Sequence, residues 1–112
     1  MYASSLMFHT LPGKTGELES ELHELLKLVQ HAGGQNARIL HTHFASPEAP
    51  NVVFVQDAPD LETLEKQIHR VTSDSTFQTW TKKVSPLLRQ TPNREIYLVV
   101  ADGAHQAGAA AK

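Results

Sequence analysis

The chain has 112 residues, of which 40% are apolar and 20% charged, with ten Lys and Arg against twelve Asp and Glu. That length suits one globular domain with its own core. The near-neutral balance, with basic residues scattered along the chain, excludes the electrostatic footprint of a nucleic-acid binder. The lack of cysteine excludes a disulfide scaffold, thiol chemistry and thiolate-bound metals. No stretch approaches the ~20 apolar residues that would span a bilayer, and the opening MYASSLMFHTLPGK has no basic leader and only a short apolar run. The expectation is a cytoplasmic protein with neither a membrane nor a nucleic acid as partner.

Residues Ser4 to Thr10 (SSLMFHT) predict a strand, ended by Leu11-Pro12-Gly13, where Pro fixes φ and Gly accepts a positive one. A helix follows. Leu18, Leu22, Leu25, Leu26 and Val29 make one stripe at the 3.6-residue period, acidic residues gather in the first half, and Gly33-Gly34 supplies the C-terminal turn. Asn36 to Phe44 (NARILHTHF) alternates as a strand, with Ile39, His41 and His43 on one face. A loop with two prolines leads to a further strand over Asn51 to Gln56.

Asp60 is a suitable N-cap for a helix whose inward stripe is Leu61, Leu64, Ile68 and Val71. That helix breaks near Ser73, within a run of capping residues, and restarts with Phe77, Trp80, Val84, Leu87 and Leu88 inward. Pro86 makes its last turn bent or 3₁₀. The final strand is Glu95 to Ala101 (EIYLVVA). The order βαββαβ predicts an α+β, ferredoxin-like domain over residues 1–103: a four-stranded antiparallel sheet with helices on one face. The Ala- and Gly-rich residues 104–112 are expected to be a weakly held tail.

Two helices cover one face of such a sheet. Yet VVFV at 52–55, IYLVV at 96–100 and the alternation of Leu6, Met7 and Phe8 put apolar side chains on both faces. An apolar face of that size calls for a cover, and face-to-face packing of a second copy supplies one. The expected partner is therefore the chain itself, in a homodimer.

The strand-LPGK turn at 11–14, the helix ending in Gly33-Gly34, the pair Phe77 and Trp80 on the second helix, and the following P-L-L and R-E-I-Y at 94–97 resemble the dimeric α/β-barrel superfamily. The likeness is strongest to domains of the antibiotic-biosynthesis monooxygenase type. It implies a small-molecule pocket between the second helix and the sheet, with Trp80 as a wall and Phe77 one turn before it. The asparagine that accompanies this tryptophan in the monooxygenases is replaced here by Thr76. The first-strand asparagine and the later histidine of haem-degrading members fall at Leu6 and Gln90.

Seven histidines make a second signal. His41-x-His43 on one strand puts two imidazoles on one face, a spacing that serves a metal when a third ligand joins; His9 on the first strand is the neighbour to consider. Tyr97 offers a hydroxyl to a pocket or to a dimer partner. The expected pocket set is thus Trp80, Phe77, Tyr97, His41, His43 and His9, with His41 and His43 as the candidates for a metal. No cofactor fingerprint is present, and none is expected to be required. Three readings remain: a barrel that binds a small hydrophobic or aromatic molecule and acts as a cofactor-independent monooxygenase, a non-catalytic interaction barrel, and a metal-dependent variant.

Overall fold

The computed structural model describes residues 1–103, so the expected tail at 104–112 lies outside the described residues. The elements are β1 (Tyr2–Phe8), α1 (Thr15–His31), β2 (Gln35–His41), β3 (Val52–Ala58), α2 (Leu61–Thr72), α3 (Ser75–Val84), a 3₁₀ turn at Ser85–Leu87, and β4 (Asn93–Leu98). The strands pair antiparallel in the order β2-β3-β1-β4. This is the expected ferredoxin-like α+β arrangement, with the second helix broken at Ser73–Asp74.

Strand parity divides the sheet into two faces. In register, Leu6 opposes Phe54 and Arg94, while Met7 opposes Val53 and Asn93. Even-numbered residues of β1, β3 and β4 therefore point to the helix side and odd-numbered ones to the open side. Phe8, Val52 and Phe54 join Leu18, Leu22, Leu25 and Val29 of α1, Val71 of α2, and Trp80 and Val84 of α3 in one buried core. Leu40, Val53, Met7, Val55 and Tyr97 occupy the open side, at whose β2 margin Arg38 pairs with Asp57 at 3.6 Å.

The bounds of all four strands differ from expectation; β3 covers 52–58 rather than 51–56. β1 covers residues 2–8 rather than 4–10, and beyond it a single bridge joins Thr10 to Leu88. β2 ends at His41, after which one further backbone bond joins Thr42 N to Asn51 O and the Thr42 hydroxyl donates to Pro50 O. β4 covers 93–98 rather than 95–101, and past Leu98 one further bond joins Val99 N to Met1 O. The stripe on α2 is also rotated. Leu61 is exposed, and Leu64, Gln67 and Val71 are the buried positions.

Helix ends are held as their residues dictate. At the end of α1, Gly34 N reaches Val29 O and Gly33 N reaches Gln30 O, the paired bonds of a Schellman turn, with Gly33 at φ +96. A Cβ on Gly34 would sit 2.4 Å from Val29 Cγ1, so only glycine fits there. Asp60 caps α2 through Thr63 N at 2.7 Å, and Asp74 caps α3 through Thr76 N at 2.8 Å.

The backbone and then the side-chain hydrogen bond of Thr63 hold the Asp60 carboxyl below the usual carboxylate range. A pKa lowered in the folded state stabilises above the unfolded value, and the contribution is lost as pH falls through the folded value. Asp60→Ala is expected to melt below the parent protein at neutral pH. Thermal melts taken down to about pH 3 should show that gap narrowing; a constant gap across the series would contradict the cap's role.

Candidate functional site

The break between α2 and α3 turns the chain so that the last turn of α2 and the first of α3 both overlook the sheet. A cavity of about 40 Å³ lies beneath the break. Leu25 and Val29 of α1 and Ile68, Val71 and Phe77 of α2 and α3 form its roof, with Thr72 exposed at its margin. Leu6, Phe54, Gln56 and Arg94 rise from the sheet as its floor. By the usual measure about one water needs 10–15 Å³ of such space, so the hollow has room for a few waters or one small apolar group.

Arg94 is the one charged side chain in this lining. It stands at the sheet margin, exposed along its stem, and its Nη1 donates to Ser4 Oγ at 2.6 Å. Desolvation pushes its pKa below the usual arginine value. No acidic side chain pairs with it among the described residues. Beside it on the same face of β4, Ile96 and Leu98 are 44% and 59% exposed, because β4 packs on β1 while the helices lie over the other strands.

The six residues expected to share a pocket do not all line one: His41 and His43 share a hollow, and the others lie elsewhere. Phe77 lines the cavity. Trp80 lies behind it, 4% exposed in the core, stacked on Phe77 at 5.6 Å between ring centroids and donating Nε1–H to Glu21 O at 2.7 Å. Tyr97 is on the opposite, open face of the sheet, where its hydroxyl donates to Glu95.

His41 ends β2 and pairs with Glu19 at 2.7 Å, exposed on the outer strand. His43 is just beyond the strand, edge-on to the exposed Phe44, and with His41 it lines a polar hollow of about 320 Å³ formed with the loop after β2. No group of three metal-ligating side chains occurs among the described residues. His9 is 6% exposed. Its Nε2 lies 3.2 Å from Glu48 O, and its Nδ1 has no hydrogen-bond partner.

Two residues of this region escaped the sequence reading. Gln67 is a polar residue in an apolar stripe; it is buried, donating Nε2–H to Gly33 O at 2.9 Å and accepting from Gln56 at 3.4 Å. Arg94 lies one residue before the expected start of the final strand, and parity is its signal, since it shares the alternation of Ile96 and Leu98. The larger hollow of about 400 Å³ beside α1 is open to solvent, and its lining is mostly apolar surface, from Leu28, Ala32 and Val71 among others, with Glu24, Lys27 and Arg70 also contributing.

No family model and no curated protein matches the chain. Among solved structures, it is similar to a protein of Bordetella bronchiseptica provisionally described as an antibiotic biosynthesis monooxygenase, at 19% identity and TM-score 0.69, with 89% of this chain and 97% of that one covered. An uncharacterized NIPSNAP domain protein of Burkholderia xenovorans matches at 19% identity and TM-score 0.69 over 90% and 96% of the two chains. A NIPSNAP-like domain protein of the same organism, also uncharacterized, matches at 15% and 0.73 over 90% and 88%. The chain has the fold of these proteins. Within this ferredoxin-like fold the cavity sits between the helix layer and the sheet, at the seam made by the broken second helix.

The seam depends on Trp80. Trp80→Phe keeps an aromatic ring but removes the bond to Glu21 and part of the core volume, and it is expected to cost about 1–3 kcal/mol. Urea unfolding followed by circular dichroism checks this; an unchanged midpoint would mean that the bond and the ring volume contribute nothing.

Proposed function

We propose that the protein is a homodimeric barrel that binds a small hydrophobic or aromatic molecule between its helix layer and its sheet. The seam beneath the helix break supports this reading by its make-up, an apolar roof and floor with a few convergent polar groups; at about 40 Å³ the cavity itself takes one small apolar group, so the rest of a ligand would lie at its mouth. The exposed Ile96 and Leu98 extend apolar surface outward from Arg94 on the same face of β4, so a ligand larger than the cavity has a surface to lie on.

The second part of the proposal concerns the open face. Leu40, Val53 and Met7 form a cross-strand apolar row there, with Val55 in the next row and the small residues Ser5 and Ala3 beside it. Small residues at the centre of a face allow a second sheet to approach closely, and a two-fold axis in the plane of contact makes the patch complementary to itself.

Binding is favoured over proton-transfer chemistry by the polar groups at hand. Gln56, Thr72 and Arg94 can donate hydrogen bonds, but the described lining holds no carboxylate, imidazole or phenol to take a proton near neutral pH. A monooxygenase-like reaction here would therefore draw its base from the substrate itself or from solvent.

Calorimetric titration with 4-phenylbutan-1-ol tests the ligand. The parent protein is expected to bind it and Thr72→Phe, which plugs the margin of the cavity, to lose at least about tenfold in affinity; equal affinity would remove the cavity from the reading. Sedimentation velocity tests the assembly. The parent should run as a dimer and Met7→Lys, which places a charge at the centre of the open face, as a folded monomer. A monomeric parent would refute the dimer.

A further inference from the structure

We infer that the ligand of this site is a carboxylic acid, held by its carboxylate at Arg94 with its apolar portion reaching into the cavity. The inference rests on the small-molecule reading above and adds the chemistry of the head group.

Three observations converge on it. The first is an uncompensated cation. A guanidinium has five N–H donors in a planar fork, and Ser4 Oγ is the one acceptor that the described structure gives Arg94. The other arginine near the sheet margin, Arg38, has Asp57 beside it, whereas Arg94 has no acidic side chain near it among the described residues. Arg94 stays exposed to solvent, and an anion arriving at its remaining donors supplies the counter-charge that the fold does not.

The second is orientation. Ser4 is 1% exposed, and it holds Nη1 on the helix side of the sheet, the side of the cavity. The side chain is thus anchored at one nitrogen while the rest of the fork remains to be used, an arrangement that suits two-point recognition of a planar carboxylate. The third is the surroundings. Leu6, Phe54 and Phe77 lie on the cavity side, and Ile96 occupies the next position on the same face of β4. A free inorganic anion would leave these surfaces unused. A purely apolar ligand would leave the guanidinium unpaired. A carboxylate on a compact apolar skeleton satisfies both.

The same reasoning separates the head group from the cavity. Arg94 selects for charge, and the apolar walls supply affinity that is blind to it. Replacing the arginine should therefore remove the preference for an acid over the corresponding alcohol while leaving the alcohol's affinity in place.

The test uses the full chain and two probes that differ at one end, 4-phenylbutanoate and 4-phenylbutan-1-ol, titrated calorimetrically at neutral pH. The acid is expected to bind the parent protein at least about tenfold more tightly than the alcohol. Arg94→Gln should bring the two to equal affinity, and Arg94→Lys should retain part of the preference as a point charge. Equal binding of acid and alcohol by the parent would overturn the carboxylate assignment while leaving the hydrophobic site standing, and this comparison requires no variant. Failure of both probes to bind would overturn the site and the assignment together. An acid preference that survives in a folded Arg94→Gln would move the anion site away from Arg94.

Discussion

The indole N–H of Trp80, bonded to the carbonyl of Glu21, fixes the geometry on which the candidate site depends. That carbonyl lies within α1, so α3 is tied to the flank of α1 at a defined height. Residues 59 positions apart in sequence are joined by one short bond inside an apolar contact, where a lost partner would leave a buried donor unsatisfied. α3 can meet this requirement only if the chain leaves the axis of α2. Asp74, accepting from Thr76 N, allows that departure by starting a new helix immediately after the break. The cavity is the space that the change of direction leaves over the sheet.

The position of the helices then decides what the sheet exposes. α1 packs on β2 and α3, and α2 on β3, so the helix layer is centred on one half of the sheet. The opposite margin, β4, is left with apolar residues that neither layer covers. In a protein of this size such surface calls for a use, whether a ligand on the helix side or a second copy on the open side. The two faces are chemically distinct. The helix side of β4 carries Arg94, Ile96 and Leu98, and the open side carries Asn93, Glu95 and Tyr97. Tyr97, which pattern alone placed in the ligand pocket, belongs to the open face by parity.

Much of the fold was legible in the sequence because its signals are local. The stripe of α1 comes from spacing within one element, and the break near Ser73 comes from a run of residues that cap helices more readily than they continue them. The 3₁₀ turn follows from Pro86. What was not legible is set between elements. Strand bounds depend on pairing with a neighbouring strand, as the register of β4 against β1 brings Asn93 and Arg94 into the ladder ahead of the expected start. Leu61 was expected inward because it fits an apolar template, but Gln67 takes a buried place, since Gly33 O accepts from its amide N–H and Gln56 Nε2 donates to its carbonyl oxygen. A polar residue can be a core residue when its partners are in place, and sequence periodicity does not reveal those partners.

Trp80 and Arg94 show how the same limit affects function. An aromatic residue on the inner side of a helix either lines a cavity or fills the core, and a rotation of a fraction of a turn separates the two. Here the bond to Glu21 turns the indole into the core, and Phe77, stacked on it, presents the aromatic surface to the cavity. The tryptophan thus acts on the site through its neighbour. Arg94 works in the opposite direction: an exposed stem at the end of a polar loop reads as surface, yet its register against Leu6 sends the guanidinium to Ser4 and toward the helices. The chemically distinctive group of the site is therefore a cation positioned by strand register. Its environment, apolar on one side and open on the other, suits recognition of an amphipathic molecule better than transfer of a proton.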